Sequence, residues 1–357
     1  MRIGLSLLTL VPGVVGGSET YARELARALS RVGELDYLAF CPRVAPDAAD
    51  GLPSVSVPEY RAATGTAGRL LAMALASAAP GRIRRLFGEA RLDAIHFPLS
   101  VMIPPVTYPP AATTVHDLQH ELCPQFFSKA ELAYRRLVYG RTIRASRLVI
   151  AISEHARGTL VERYRLAPER VRTIHLGVDH ERLRPGGQPR EPFLLYPANR
   201  WPHKNHRRLF EALALVRERR PELRLVLTGT GHDPAALPAG VESRGRVSWE
   251  ELVRLYQRAS ALVFPSLYEG FGLPPLEAMA CGCPVACSNA ASLPEVCGGA
   301  AALFDPRSAE DAARAIEAVL ADPEPYVRRG LARAGEFSWE ACARAHEAVY
   351  RDLAGEA

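Results

Sequence analysis

The sequence predicts an α/β protein of two doubly wound domains, and three observations support this. The chain has 357 residues, long for one hydrophobic core and ordinary for two domains. Short, near-continuously apolar runs alternate with stretches of helical spacing, the pattern of parallel strands covered on both faces. The alternation stops at Arg182-Leu-Arg-Pro-Gly-Gly-Gln-Pro-Arg-Glu-Pro192, whose Pro, Gly and charge suit an interdomain linker, and then restarts.

In chain order, the apolar runs predict strands at 2–8, 35–40, 92–97, 112–116, 148–152 and 171–175, with helices at 18–30 and 131–144. Past the linker come strands at 193–197, 223–228, 261–264, 285–288 and 301–304. Helices at 205–218, 249–258, 275–280 and 308–320 lie between them. The domains are therefore set at 1–184 and 185–338. A final amphipathic helix, about 339–357, is expected to pack back on the first domain. Two such domains facing each other would put their strand ends on a shared cleft.

Charged residues make up 23% of the chain and the hydrophobic set 48%, ordinary for a soluble globular protein. The apolar opening, residues 1–10, is too short and too poorly flanked for an export signal, and no run reaches membrane-spanning length. A cytoplasmic protein is expected. Seven cysteines, an odd number, argue against a disulfide framework. Cys281, Cys283 and Cys287 cluster without paired C-x-x-C spacing, so they read as buried apolar fillers and no metal site is expected. The net charge is +5, unevenly spread. Arg82, Arg84 and Arg85 form one group, and Arg135, Arg136, Arg141, Arg144 and Arg147 another, near Leu70, Leu71, Met73, Leu86 and Phe87. Such a surface fits a solvated helix face or peripheral contact with an anionic membrane. No nucleic-acid motif accompanies it, and no nucleic-acid partner is expected.

Chemistry is expected at strand ends. Glu269-Gly-Phe-Gly-Leu-Pro-Pro-Leu-Glu277 follows a strand and opens a helix, the place where open α/β sheets bind ligands. Gly270 and Gly272 let backbone amides approach a ligand, Pro274 and Pro275 suit a first helical turn, and Glu277 is placed in that turn as a dipole-stabilised carboxylate acceptor. On one continuous helix Glu269 and Glu277 would lie about 12 Å apart, beyond the roughly 5–9.5 Å of a glycosidase pair. They read better as hydroxyl acceptors. Arg200 and Lys204 follow another strand end and suit the spread charge of a diphosphate. Gly16-Gly17 precede a helix and suit phosphate, though the same stretch fits a flexible turn with Ser18 as a cap. His116-Asp117 follow a third strand end, where the imidazole can donate to a sugar hydroxyl and Asp117 can cap the next segment; Ser153 reads as a helix cap.

Together these residues resemble the retaining glycosyltransferases of family 4, whose GT-B fold pairs two facing Rossmann-like domains with the donor cleft between them. The resemblance spans nearly the whole chain. It rests on Gly16-Gly17, His116, Arg200 with Lys204, Ser153-Glu-His155, Gly177-Val-Asp179 and above all the E-x7-E of Glu269 and Glu277. The stretch from His116 to Phe127 is similar to a bacterial branch that includes mannosyltransferases of surface polysaccharide assembly.

The resemblance implies a retaining transfer of a hexose, mannose or similar, from a nucleotide-diphosphate sugar. Arg200 and Lys204 would hold the diphosphate, Glu277 the ribose, and Glu269 with the amides of Gly270, Phe271, Gly272 and Leu273 the transferred sugar. Val247, in Gly245-Arg-Val247, would lie against the base, Gly16-Gly17 would face the diphosphate, and His116 would contact the donor sugar. No cofactor or catalytic metal is implied. The donor is GDP- or UDP-linked, with GDP-mannose favoured, and the acceptor a saccharide, lipid-linked or small molecule in glycan biosynthesis. The protein would then work in the cytoplasm or at the inner membrane face. An epimerase of the same fold and a non-catalytic nucleotide-sugar-binding subunit are the alternatives.

Overall fold

The computed structural model describes residues 1–14, 16–60 and 65–355. They form two compact units: Met1–Gly177 with Trp339–Ala357, and Val178–Ser338.

Unit 1 is built on a seven-stranded sheet of order β3-β2-β1-β4-β5-β6-β7, all pairs parallel. Its strands are β1 (Arg2–Ser6), β2 (Asp36–Pro42), β3 (Ser54–Val57), β4 (Ala94–Phe97), β5 (Ala111–Val115), β6 (Leu148–Ala151) and β7 (Val171–Thr173). β4, β5 and β6 are buried throughout, which is why they read as unbroken apolar runs. The helices are α1 (Gly17–Val32), α2 (Thr66–Ala78), α3 (Gly81–Glu89), α4 (Gln119–Leu122), α5 (Lys129–Ala145) and α6 (Glu154–Tyr164). α1 turns Tyr21, Ala22, Leu25, Ala26 and Leu29 inward at helical spacing. α5 starts on a capping box between Ser128 and Glu131, and Ser153 caps α6 as expected.

Unit 2 repeats the plan with a six-stranded parallel sheet, β10-β9-β8-β11-β12-β13. These are β8 (Glu191–Pro197), β9 (Arg224–Thr228), β10 (Val241–Ser243), β11 (Ala259–Phe264), β12 (Val285–Ser288) and β13 (Ala302–Phe304). Between them run α7 (His206–Arg217), α8 (Trp249–Arg258), α9 (Leu273–Ala280), α10 (Leu293–Cys297), α11 (Ala309–Ala321) and α12 (Glu324–Ala334). In each sheet the order reverses at the first strand, between β1 and β4 and between β8 and β11. Loops leaving those strands at their carboxyl ends flank the crevice where open sheets bind ligands.

The last helix, α13 (Trp339–Ala354), belongs to unit 1. A buried polar network fixes it there. Tyr21 Oη meets His346 Nε2 and Thr114 Oγ1 at 2.8 Å each, His96 Nδ1 meets Tyr350 Oη at 2.8 Å, and Glu347 accepts from Tyr37 Oη and from the amide of Glu34 at 2.7 Å. Burial holds both His96 and His346 below the usual imidazole range, so the two imidazoles are neutral.

Two sequence expectations shift. The unit boundary falls at 177/178 and not at 184/185. The Pro- and Gly-rich stretch is pinned inside unit 2, where Gln257 Nε2 donates to the Arg184 carbonyl at 2.8 Å, Arg190 donates to the Ala259 carbonyl at 2.9 Å, and Leu183 is buried. In addition β3, β10, α2, α3, α10 and α12 escaped the pattern. β3 is an edge strand with exposed residues, and the other elements are short or lie away from the sheet centres.

Candidate active site

The site is clearest at the switch point of unit 2. After β8 the chain passes Asn199 and Arg200 into a 3-10 turn, Pro202–Lys204. After β11 it passes Ser266 and Tyr268 to Glu269, and α9 begins at Leu273. The loops are joined: Lys204 Nζ donates to Glu269 Oε1 at 2.6 Å, the two side chains being 13% and 15% exposed. An ion pair so sheltered from water is worth more than a surface pair. The ammonium also lies 5.4 Å from the Phe264 ring centre.

Other bonds brace the same loops. The Leu267 amide donates to the His203 carbonyl at 2.8 Å. Asn205 is left-handed (φ 59°), and its side-chain amide donates to the carbonyls of Pro265 at 3.0 Å and Pro306 at 2.7 Å. Ser292, fully buried, donates to the carbonyls of Glu269 at 2.9 Å and Phe271 at 2.5 Å. Gly272 has φ 130°, and a Cβ there would come within 2.8 Å of Leu293 Cδ2. Glycine is thus required at 272 by the backbone and its packing as well as by any ligand. Phe271 is buried against the Phe337 ring.

Glu277 departs from its expected setting. α9 starts at Leu273 with prolines in its first turn and no acid there. Glu277 is its fifth residue, past the turn where the dipole acts most strongly. It is 8% exposed, and Tyr256 Oη donates to its Oε2 at 2.8 Å. Burial raises its pKa to about 7, the tyrosine bond pulling the other way. The carboxyl is therefore poised between acid and carboxylate near neutrality.

Arg200 is exposed beside the Lys204 turn, its amide bonded to the Thr230 carbonyl at 2.9 Å. Below it, His206 is buried and held at about pKa 4 by desolvation first and by the neighbouring His232 next, so it stays neutral. Val247 is half-buried beyond β10 in the segment after Gly245, whose carbonyl accepts from the Gly229 amide at 2.8 Å. Arg200, Lys204, Glu269 and the 270–273 segment thus gather at one sheet end. Sequence reasoning missed Ser292, Tyr256 and the bridging role of Asn205. A serine before Leu-Pro-Glu looks locally like a helix cap, yet Ser292 makes no capping bond to α10.

In unit 1, α1 begins at Gly17 behind an exposed Gly16 with φ 58°. Gly16 takes the cap position and no side chain caps the helix, so Ser18 is not the cap. A Cβ on Gly16 or Gly17 would meet nothing within 4 Å. Space, an uncapped helix start and its positive dipole end lie together there. His116 directly follows β5, 8% exposed, with its ring edge-on to Tyr21 at 4.8 Å. Its Nε2 lies 2.7 Å from the Pro98 carbonyl. A carbonyl only accepts, so Nε2 carries the proton and gives it to Pro98. Donation to a sugar hydroxyl, the expected role, would have to compete with that bond, and Nδ1 is the accepting nitrogen. Asp117 accepts from the Gln119 amide at 3.1 Å, the local cap expected of it.

Among the described residues no group of three or more His, Cys, Asp or Glu is placed to hold a metal, and no helix is long and apolar enough to cross a membrane. All seven cysteines are free, and six are buried.

Comparison with known proteins decides the family. Residues 15–182 match the profile described as Glycosyltransferase Family 4, and residues 179–334 that of Glycosyl transferases group 1. The O-antigen chain mannosyltransferase B of Escherichia coli is 33% identical over 262 residues, 65% of this chain and 68% of that protein. The chain belongs to this family of glycosyltransferases. Among solved structures, sucrose-phosphate synthase from Thermosynechococcus elongatus aligns over 100% of both chains with a TM-score of 0.74 at 21% identity. Anabaena HepE, solved in complex with UDP and glucose, aligns over 99% of this chain and 100% of its own with a TM-score of 0.72 at 16% identity. The fold is that of GT-B glycosyltransferases, made of two Rossmann-like halves. Family membership sets the epimerase aside.

Proposed function

We propose that this glycosyltransferase moves mannose, from GDP-mannose, to a saccharide acceptor of glycan or glycoconjugate assembly, with retention of anomeric configuration. The observation that carries the reading is the Lys204–Glu269 pair at the unit 2 switch point. A cation and a carboxylate held there suit the two ends of one donor. The diphosphate would draw Lys204 and the exposed Arg200, whose charges stabilise the leaving group as its charge develops. Glu269 would then accept from hydroxyls of the transferred sugar, beside the amides that open α9. Glu277 would meet the ribose and Val247 the base; within unit 1, the amides at Gly16-Gly17 suit a phosphate and Nδ1 of His116 can accept from a hydroxyl. Such a site needs no resident metal or cofactor, because its own cations face the diphosphate. The acceptor hydroxyl attacks on the face the diphosphate leaves, and a phosphate oxygen takes its proton.

The mannose choice is supported by the likeness to the E. coli mannosyltransferase. UDP-glucose is the natural competitor, since HepE was solved with UDP and glucose. Free thiols throughout agree with work in the cytoplasm. The test is to incubate the protein with GDP-mannose and UDP-glucose in turn, with saccharide and lipid-linked acceptors, measuring nucleoside diphosphate release and the product's anomeric configuration by NMR. An α-linked mannoside from GDP-mannose supports the reading. Inverted product, or transfer from UDP-glucose alone, overturns it.

A further inference from the structure

We propose that the outer face of α2, with the arginines of α3, docks the protein on an anionic lipid bilayer. This inference stands apart from the donor assignment. α2 turns Ala72 and Ala76 into a core shared with Ile83 and Phe87 of α3 and with Ile103 and Val106. Among the described side chains of α2, the exposed ones are Leu70, Leu71, Ala74, Leu75 and Ala78. At one residue per 100° they make one stripe along the helix, and every member is apolar. Leu71 is 60% and Leu75 55% exposed. Leu137 on α5 is 70% exposed, and α5 is tied to α2 by the contact of Tyr134 Oη with Met73 Sδ at 3.5 Å. A continuous exposed apolar stripe on a folded surface marks an interaction site more often than chance.

Charge selects the occupant. Residues 60–88 contain five arginines and no Asp or Glu. α3 buries Ile83 and Phe87, which leaves Arg82, Arg84 and Arg85 exposed. Arg84 is anchored on the Pro105 carbonyl at 2.8 Å without losing its charge. An apolar stripe beside α3, whose exposed Arg82, Arg84 and Arg85 outnumber its one carboxylate, Glu89, matches the headgroup boundary of an anionic bilayer. A second copy of the same face would instead bring arginine against arginine. Three residues that the sequence assigned to this surface turn inward: Phe87 is buried, and Met73 and Leu86 pack on the core.

Flotation of the full chain with vesicles of phosphatidylcholine plus phosphatidylglycerol, and of phosphatidylcholine alone, tests this. The protein should float with the mixed vesicles at low salt and far less with the neutral ones. Arg82→Gln with Arg85→Gln should lower partitioning about fivefold per arginine and remove most of the salt dependence. Leu71→Ser with Leu75→Ser should lower it about tenfold or more. Both variants should keep the wild-type melting temperature and rate on soluble acceptors, since these side chains are exposed and none is among the residues proposed to hold the donor. Four results would each overturn the proposal: no binding of wild type to mixed vesicles, equal binding to neutral ones, binding untouched by the leucine changes, or a wild-type dimer that those changes dissociate.

Discussion

At the switch point of unit 2 the loops after β8 and β11 are joined by side chains: Lys204 to Glu269, Asn205 to Pro265 and Pro306, Ser292 to Glu269 and Phe271. At the corresponding point of unit 1 the described residues of the loop after β1 are exposed from residue 12 to Gly16, and Glu19 accepts from the Gly13 amide at 2.7 Å. Unit 1 concentrates its polar bonds deeper, among Tyr21, Thr114, His96, His346 and Tyr350. One strand order thus carries a cross-braced, largely sheltered loop set in one half and, among the described residues, a more exposed loop in the other. Bracing fits a partner that is the same in every turnover, and openness fits one that must be admitted and released.

The comparison can be broken or sharpened by substitution. The largest effect is expected from Lys204→Ala, which should lower transfer about 100- to 1000-fold with the fold intact by circular dichroism. A variant within tenfold of wild type would remove unit 2's cation from the chemistry. Ser292→Ala comes next. It strips two carbonyls of a buried donor and should cost about 1–3 kcal/mol in chemical denaturation, with a raised KM for donor as the loop loosens. Unchanged stability and KM would show that the braces do not organise the loop.

The third prediction concerns pH. Glu277 titrates near 7 in the folded protein against 4.5 for a free carboxyl. Below both values the group is protonated whether the chain is folded or not. As pH rises from about 4.5 through 7 the unfolded chain ionises first, so the stability this group allows is lost across that window. Glu277→Gln should remove that part of the pH dependence when unfolding is compared at about pH 5 and about pH 8. A wild-type profile identical to the variant's would mean the carboxyl is not strained by burial. The smallest effect belongs to the open loop. Gly16→Ala forces a left-handed residue and should cost about 1 kcal/mol, while Gly17→Ala, inside α1 with free space around it, should leave stability near wild type. A large loss from Gly17→Ala would show that unit 1's loop is as constrained as its counterpart.

Much of this was legible in the sequence, for reasons that particular elements show. β4, β5, β6 and β12 are covered on both faces, so their apolar runs were unmistakable. The strand-end positions of Arg200, Lys204, Glu269 and His116 followed from those strands. Edge strands β3 and β10 were missed because an exposed edge leaves no alternation to read. Pairing was also out of reach: nothing local tells Lys204 that Glu269 will face it, or Ser292 that its hydroxyl turns away from α10. Glu277 was misjudged for a related reason. Its place in the chain suggested dipole stabilisation, but its titration is set by the burial around it and by Tyr256 from α8.

Asn205 has one further consequence. Its single amide knots the ends of β11 and β13 to the turn after β8, so these loops form one mechanical piece that sequence drift cannot alter one strand at a time. The Gly245–Val247 segment lies outside that knot, joined to β9's exit by a backbone bond. On the proposed placement of the base against Val247, change of nucleotide preference, by evolution or by design, has its cheapest route through Arg246 and Val247.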